Sequence, residues 1–526
     1  MRKFIAQHQR QISGVLSGFD RLVLRGTLRR VAYAEGMNQY LWANDVLLKN
    51  FAAHVESVSQ ALKGASTAEA MGAGRPVRYL YSPEVSKEDI ARRIAAEDHI
   101  TEGPVCVLTC VEPCWSFQIY RNRDTKRLQL QLCRRKCLFV YHYAIHPTFG
   151  FLNARIQTWF PFPIQICLNG REWLARQMDQ AGLAYVRQDN CFPWIDDWQR
   201  AQQLLDHQLR VEWPMLLDGI ARTLNPIHTQ LFAAFPANYY WSVHQSEWAI
   251  DLVFRKATEL RQLYPRLVQH AMTTLGSADV LRFLGRRIPL TSGVPPQFSG
   301  QVLTDLQSRQ EGIRIKHRLN SNSVKLYDKA FTDLGSVLRA ETTIHNTDDF
   351  LVYRAKEGGP ANELAWRVLR SGIADMHRRA EVSRNAAERY LDALASVEQN
   401  TTLEQVLHRL GQPRYWHGRR VRAFHPFSPD DRHLLQVVSR GEFTLNGFRN
   451  RDLQRLCFTQ AATPPGEARR RSSWASRKLR LLRTHGLIYK VNGTHRYHLT
   501  IVGRTATTAI LNALRSTVRE LTSAAA

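Results

Sequence analysis

The first periodic signal along the chain is VLSGFDRLVLRGTL, residues 15–28, where apolar and polar positions alternate around Asp20. Period two predicts strands, here a pair with a turn near Gly26. The period then changes. Leu41, Val46, Leu47, Phe51, Val55, Val58 and Leu62 recur at helical spacing, so one long helix is expected over about 34–63. A glycine-rich break from Gly72 to Pro76 leads into a strand, VRYLY, a helix over 87–96 and a strand apolar on both faces, PVCVLTCV. Alternation returns from Trp115 to Leu168 in WSFQIYRN, RLQLQLC, CLFVYHYAI, FLNARIQTW and PIQICL, as an antiparallel sheet requires. Asn169-Gly170 then opens a helix at REWLARQM.

Residues 213–290 read as mainly helical, broken at Pro226, Pro236 and Pro265. Strands resume over 299–354 in GIRIKHRL, SVKLYDK, SVLRAETTI and FLVYR, and a helix is expected over 363–396. A stretch rich in Pro, Arg and Gly follows. A chain of 526 residues exceeds one ordinary core. The expected division is an α/β domain over 1–212, a helical segment over 213–298, a sheet plus helix over 299–400, a linker over 401–427 and a last domain over 428–526. The fold class is therefore α+β (mixed α/β) and multidomain.

Charge changes this picture. Lys and Arg number 72 against 46 Asp and Glu, a net +26, and such an excess raises affinity for polyanions. It is concentrated: residues 411–526 hold 21 Lys/Arg and 6 Asp/Glu. The absence of a long apolar run argues against a membrane partner. Eight cysteines in so long a chain do not make a disulfide scaffold, so a cytoplasmic protein is expected, nucleoid-associated if bound to DNA.

Within the basic end, three helix candidates stand in order: SPDDRHLLQVVSRG with Ser428 as N-cap, GFRNRDLQRLCF, and ARRRSSWASRKLRLLRTHG ending at Gly486. Two alternating strands around Asn492-Gly493 follow directly. The third helix carries Arg469, Arg470, Arg471, Arg477, Lys478, Arg480 and Arg483, and the hairpin adds Lys490 and Arg496. The stretch LLRTHGLIYKVNGTHRYHLTIVGR resembles the MarR-type winged helix-turn-helix domains over about 100 residues. That resemblance implies a third helix in a major groove and a wing on the adjacent backbone. Protein contacts by the same fold are the alternative.

Three constellations could carry chemistry. In SVKLYDK and SVLRAETTI, Lys325 and Tyr327 share one strand face, as do Arg339 and Glu341. Paired across a hairpin, the four would converge. Tyr-Asp-Lys followed by Arg-x-Glu resembles strands of rolling-circle replication initiators of plasmids and phages, which implies a tyrosine nucleophile and a metal ion. That family's His-hydrophobe-His motif is absent; the nearest pair, His142 and His146, has three residues between its histidines, which leaves the ligands open. The alternative is an ion-pair ladder on an exposed sheet face.

The second constellation is acidic. Asp20 on the first strand, Glu112 at the end of PVCVLTCVE and Asp196-Asp197 near a helix follow the order in which RNase H-like nucleases hold Mg²⁺ or Mn²⁺. The third is Cys110-x3-Cys114 with Cys133-x3-Cys137; their wide spacing and apolar strand setting argue against zinc. P-loop, dinucleotide, zincin and nucleophile-elbow motifs are absent. The sequence thus points to a DNA-binding protein of the mobile-element or replication-initiator type with metal-dependent strand cleavage. Its rivals are an RNA-binding ribonucleoprotein component, in which Trp115, Tyr120, Tyr141, Tyr143 and Trp159 stack on bases, and a winged-helix transcriptional regulator.

Overall fold

One strand of seventeen residues, β1 (Ile12–Leu28), runs through the middle of the molecule with most of its side chains buried. The turn expected at Gly26 does not form. In the computed structural model, a Cβ on Gly26 would come within 2.8 Å of the Trp241 indole, so this glycine admits a neighbouring ring inside a strand that runs on to Leu28. Gly14 does the same for Trp198. The structure describes residues 1–273, 275–285, 302–309, 312–332, 335–356, 358–360, 362–395, 402–440, 443, 447–458, 460, 465–491 and 494–518.

The strands after β1 are β2 (Val77–Leu80), β3 (Gly103–Arg121), β4 (Leu128–His146), β5 (Gly150–Gln157), β6 (Ile164–Asn169), the separate hairpin β7 (Tyr185–Gln188) and β8 (Cys191–Ile195), then β9 (Tyr239–Phe254), β10 (Val302–Arg309), β11 (Gly312–Leu319), β12 (Asn322–Thr332) and β13 (Gly335–Ile344). Eleven of them make one sheet in the order β10-β11-β12-β13-β9-β1-β6-β5-β4-β3-β2. The pairings are antiparallel except β2–β3.

This sheet corrects the expected division of the chain. β1 pairs with β9 and β9 with β13, so the segments 1–212, 213–298 and 299–400 share one sheet, and one hydrophobic core runs from Phe4 to Ala395. The region expected to be helical holds β9, a central strand. Its polar face (Gln245, Glu247, Asp251) broke the alternation that would have revealed it. PVCVLTCV and WSFQIYRN fuse into the single strand β3. The long helix expected over 34–63 divides into Ala34–Ala43 and Phe51–Gly72. The helix expected from 363 begins at Met376, preceded by a strand, Leu364–Val368, that pairs with Leu351–Ala355.

A second core gathers the C-terminal residues from Leu410 to Leu511. It also corrects the linker expected over 401–427: the helix Leu403–Leu410 and the hairpin Arg414–Trp416 with Arg419–Val421 precede Phe424, which is fully buried in that core. Helices Pro429–Val438, Asn450–Cys457 and Pro465–Thr484 follow, then a three-stranded sheet with Arg496–Leu499 between Phe448–Arg449 and Ile488–Lys490, and a last helix, Ile501–Arg515. Ser428 caps the first of these through its side chain, as expected. The Asn492-Gly493 turn lies outside the described residues. Among the described residues no helix is long and apolar enough to cross a membrane.

Candidate functional site

Four adjacent strands, β12, β13, β9 and β1, carry a buried polar cluster on one face. The register sets it: Lys325 lies opposite Glu341, Tyr327 opposite Arg339, and Arg339 opposite Asp251. On the far side of β9, Glu247 lies opposite Arg21, and the β1–β9 register slips between Phe19 and Arg21. Asp20 sits at that irregularity, a place where a strand can re-aim a side chain. The helix Gly170–Gln180 supplies Arg171 from its first turn, held by Asn169, whose side chain accepts from the backbone N–H of Arg171 and Glu172.

The cluster has an inner, charge-paired floor. Arg339, with no exposed surface, donates to both oxygens of Asp251 at 2.6 and 2.8 Å and to Asp20 Oδ2 at 3.2 Å. Arg171, equally buried, donates to Asp251 Oδ2 at 2.9 Å, and Asn190 Nδ2 donates to Asp20 Oδ2 at 3.1 Å. Burial alone would raise the Asp251 carboxyl, but Arg339 and Arg171 outweigh it and hold it below the ordinary value. The ladder expected on an exposed face is therefore a buried one.

Above this floor, three carboxylates face a cavity of about 280 Å³. Asp20, Glu247 and Glu341 each bring an oxygen to within 4.8 Å of the others. Lys325 Nζ lies 2.5 Å from Glu341 Oε1 and 3.4 Å from Glu247 Oε1. Asp20 Oδ1 is buried and makes no hydrogen bond. Glu247 is raised above the usual carboxylate range, by burial first and then by Glu341 and Asp20. Hard oxygen donors at this spacing, one of them unsatisfied and another repelled by its neighbours, fit a divalent cation. Tyr327, Lys329, Asn190, Arg21 and Arg92 also line the cavity, and burial, then Glu341, pushes the Tyr327 phenol up to about 12.

The inner floor has a pH signature. Because the folded-state pKa of Asp251 is depressed, its contribution to stability is fully present above its unfolded value near 3.8 and is lost as pH falls through the lower folded value. Urea titrations across that acid window should show a falling midpoint for the wild type and a shallower fall for Asp251→Asn. Equal slopes would remove Asp251 from the set of acid-labile groups.

Of the residues singled out from sequence, Asp20, Tyr327 and Glu341 meet in this cavity, although they came from two separate constellations. Glu112 does not join them and is corrected. It accepts from Tyr141 at 2.6 Å and Arg155 at 3.0 Å, and Lys87 Nζ is 3.0 Å away. His142 and His146 face a different, mainly apolar cavity, outside the acidic trio. Asp197 caps the helix Trp198–Asp206. The eight cysteines are free thiols; Cys110 packs in an apolar cluster and Cys133 donates to the Ser116 carbonyl. Tyr141 and Tyr143 are buried, whereas Trp115 is 58 % exposed. Glu247, Asp251 and Arg171 were missed. Two carboxylates inside the otherwise apolar run SEWAIDLVF were the signal for the first two.

The basic C-terminal residues separate by environment. Arg469, Arg470, Arg477 and Arg480 are exposed on the helix Pro465–Thr484. Two others are used internally: Arg471 pairs with Glu467 and donates to the Gln460 carbonyl, and Lys478 is buried 3.4 Å from Asp431. Asp431 is wholly buried, and it also takes a two-pronged contact from Arg422. Arg483 lies over the Trp416 ring at 4.6 Å, and Lys490 and Arg496 are half-buried on the paired strands. An open groove is lined by Arg469, Arg470, Ser473, Trp474 and Arg477. Comparisons with protein-family models, with curated proteins and with solved structures find no match to this chain.

Proposed function

We propose that the protein binds nucleic acid through its C-terminal unit and cleaves a phosphodiester in the carboxylate cavity with the help of Mg²⁺ or Mn²⁺. The observation that carries this is the trio Asp20, Glu247 and Glu341, three oxygens within 4.8 Å in a cavity that solvent reaches. The cation would be held by these three side chains and would supply Lewis-acid polarisation of a phosphoryl oxygen. Lys325 offsets part of the trio's charge, Arg21, Arg92 and Lys329 set cations among the carboxylates of the lining, and Arg339 and Arg171 of the floor hold Asp20 from below. Tyr327 is the nucleophile that the replication-initiator resemblance implies. With its phenol held near 12, the hydroxyl stays protonated at neutral pH, which favours attack by water over attack by tyrosine.

Docking by a winged helix is supported by the order of the described elements, the helices Pro429–Val438, Asn450–Cys457 and Pro465–Thr484 before the paired strands Ile488–Lys490 and Arg496–Leu499, with the last of these helices presenting Arg469, Arg470, Arg477 and Arg480. The MarR-type likeness of the same stretch supports DNA as the partner. In the full chain, Arg477→Ala with Arg480→Ala should weaken duplex binding at low salt and flatten the salt dependence by about two phosphate contacts. An unchanged affinity and salt slope would remove this helix from the interface.

One observation favours a second function. Lys325 between Glu341 and Glu247 can satisfy those carboxylates without a metal, so that the cluster is structural and the protein a binding component alone, of RNA or as a regulator. Incubation of the full chain with single-stranded, hairpin and duplex DNA and RNA in Mn²⁺ separates the two. Nicking that Asp20→Asn abolishes supports cleavage. Tight binding with no product supports the binding component.

A further inference from the structure

Opposite the carboxylates, on the other face of the same sheet, lies a second cavity of about 290 Å³. β5 walls both: Phe151 and Asn153 line the acidic cavity, while Leu152 and Ala154 line this one, as alternation along a strand requires. The remaining walls come from β3 and β4 and from the helices Phe51–Gly72 and Trp213–Leu224. Val107, Leu152, Leu216 and Ile220 make its body aliphatic, and its volume is at the small end of ligand pockets, roughly 300–1,000 Å³.

The polar groups are few and poorly satisfied. His142 Nε2 and Arg75 Nε are buried without a hydrogen-bond partner. Burial holds His142 at about 4, so the ring is neutral at neutral pH. His146 Nδ1 accepts from the Thr148 backbone N–H at 3.0 Å, which places its ring proton on Nε2 as a donor. Glu69 is the one carboxylate on the lining, and burial raises it from its ordinary value. Buried polar atoms in native folds are completed by a protein partner, water, an ion or a ligand, and these two atoms line a cavity large enough to hold a small molecule. An apolar body, two imidazoles and a guanidinium suit an occupant that is mostly hydrocarbon and ends in an anionic oxygen pair.

We propose that this cavity binds a small, largely apolar carboxylic acid, with its hydrocarbon between β5 and the helix Trp213–Leu224 and its carboxylate on Arg75. The site does not depend on the chemistry assigned to the carboxylate cavity. It explains why the two histidines, which are not placed to share a metal with the acidic trio, face a cavity whose body is aliphatic.

Calorimetric titration of the full chain with 1-naphthoate tests the proposal. One saturable site is expected. Gly219 lines the cavity and a Cβ there meets no atom within 4 Å, so Gly219→Phe adds bulk at the cavity without a clash at its Cβ and should abolish binding. Arg75→Gln replaces a half-buried cation with a neutral polar side chain and should weaken 1-naphthoate about tenfold, while leaving the uncharged 1-naphthalenemethanol unchanged. Absence of saturable binding at millimolar naphthoate overturns the proposal, as does binding that survives both substitutions. Tighter binding of 1-naphthylmethylamine than of naphthoate also overturns it, because Glu69 and not Arg75 would then select the ligand's charge.

Discussion

Arg339→Met is expected to destabilise the fold by about 3–5 kcal/mol, the penalty for leaving buried charge without its partner. The guanidinium is wholly buried, it forks onto both oxygens of Asp251, and it reaches Asp20 as well. Its removal leaves two carboxylates in a core that joins β1, β9 and β13 with one buried cation between them, Arg171, which is 2.9 Å from Asp251 but 3.9 Å from Asp20. A urea midpoint shift, read at constant m-value, measures the loss. Adding Asp251→Leu should recover part of it, because the two changes share one interaction and are not additive. A loss under about 1 kcal/mol would mean that water or a shifted side chain replaces the guanidinium, and the floor of the cavity would then be soft.

The second large effect is on chemistry. Asp20→Asn should lower Mn²⁺-dependent cleavage by a factor of about 100 or more, since several kcal/mol of charge stabilisation rest on the cation and each 1.4 kcal/mol is tenfold. Asp20 Oδ1 makes no hydrogen bond and stands 3.9 Å from Arg171, so an amide removes the charge while its remaining oxygen can keep the contacts that Oδ2 accepts from Arg339 and Asn190. Tyr327→Phe should keep most of the rate and produce no change in covalent adduct, because none is expected from a phenol held near 12. A denaturant-stable protein–DNA adduct in the wild type that Tyr327→Phe abolishes would reverse that assignment and make Tyr327 the nucleophile.

The part of this site that was legible in the sequence is its local part. SVKLYDK and SVLRAETTI alternate cleanly and are joined by a short loop, so Lys325, Tyr327, Arg339 and Glu341 are expected in one cross-strand cluster, and the register then sets Lys325 opposite Glu341 and Tyr327 opposite Arg339. Their convergence with Asp20 was not legible. It needs β9 between β1 and β13, and β9 reads poorly: Glu247 and Asp251 occupy positions that a buried strand fills with apolar residues. Glu112 was drawn in by its place at the end of an apolar run, but that run continues as β3 to Arg121 at a distance in the sheet, and the carboxylate is spent on Arg155, Lys87 and Tyr141. Glycine misled for a physical reason as well. At Gly26 the missing Cβ makes room for Trp241 within a strand, whereas composition alone suggests a turn. The basic helix was legible as a run of arginines, but not the burial of Lys478 against Asp431, which depends on a residue 47 positions earlier.

Glu247→Gln tests the cation site most directly. Glu247 is the member of the trio that burial and its neighbours already push toward protonation, so a neutral amide there should leave the urea midpoint unchanged or slightly raised. Electron paramagnetic resonance of Mn²⁺ titrated into the full chain should show one bound ion in the wild type and a large loss of affinity in Glu247→Gln, at equal stability. A wild type that leaves all Mn²⁺ free in solution, or a variant that binds it as tightly as the wild type, contradicts a metal centre at Asp20, Glu247 and Glu341.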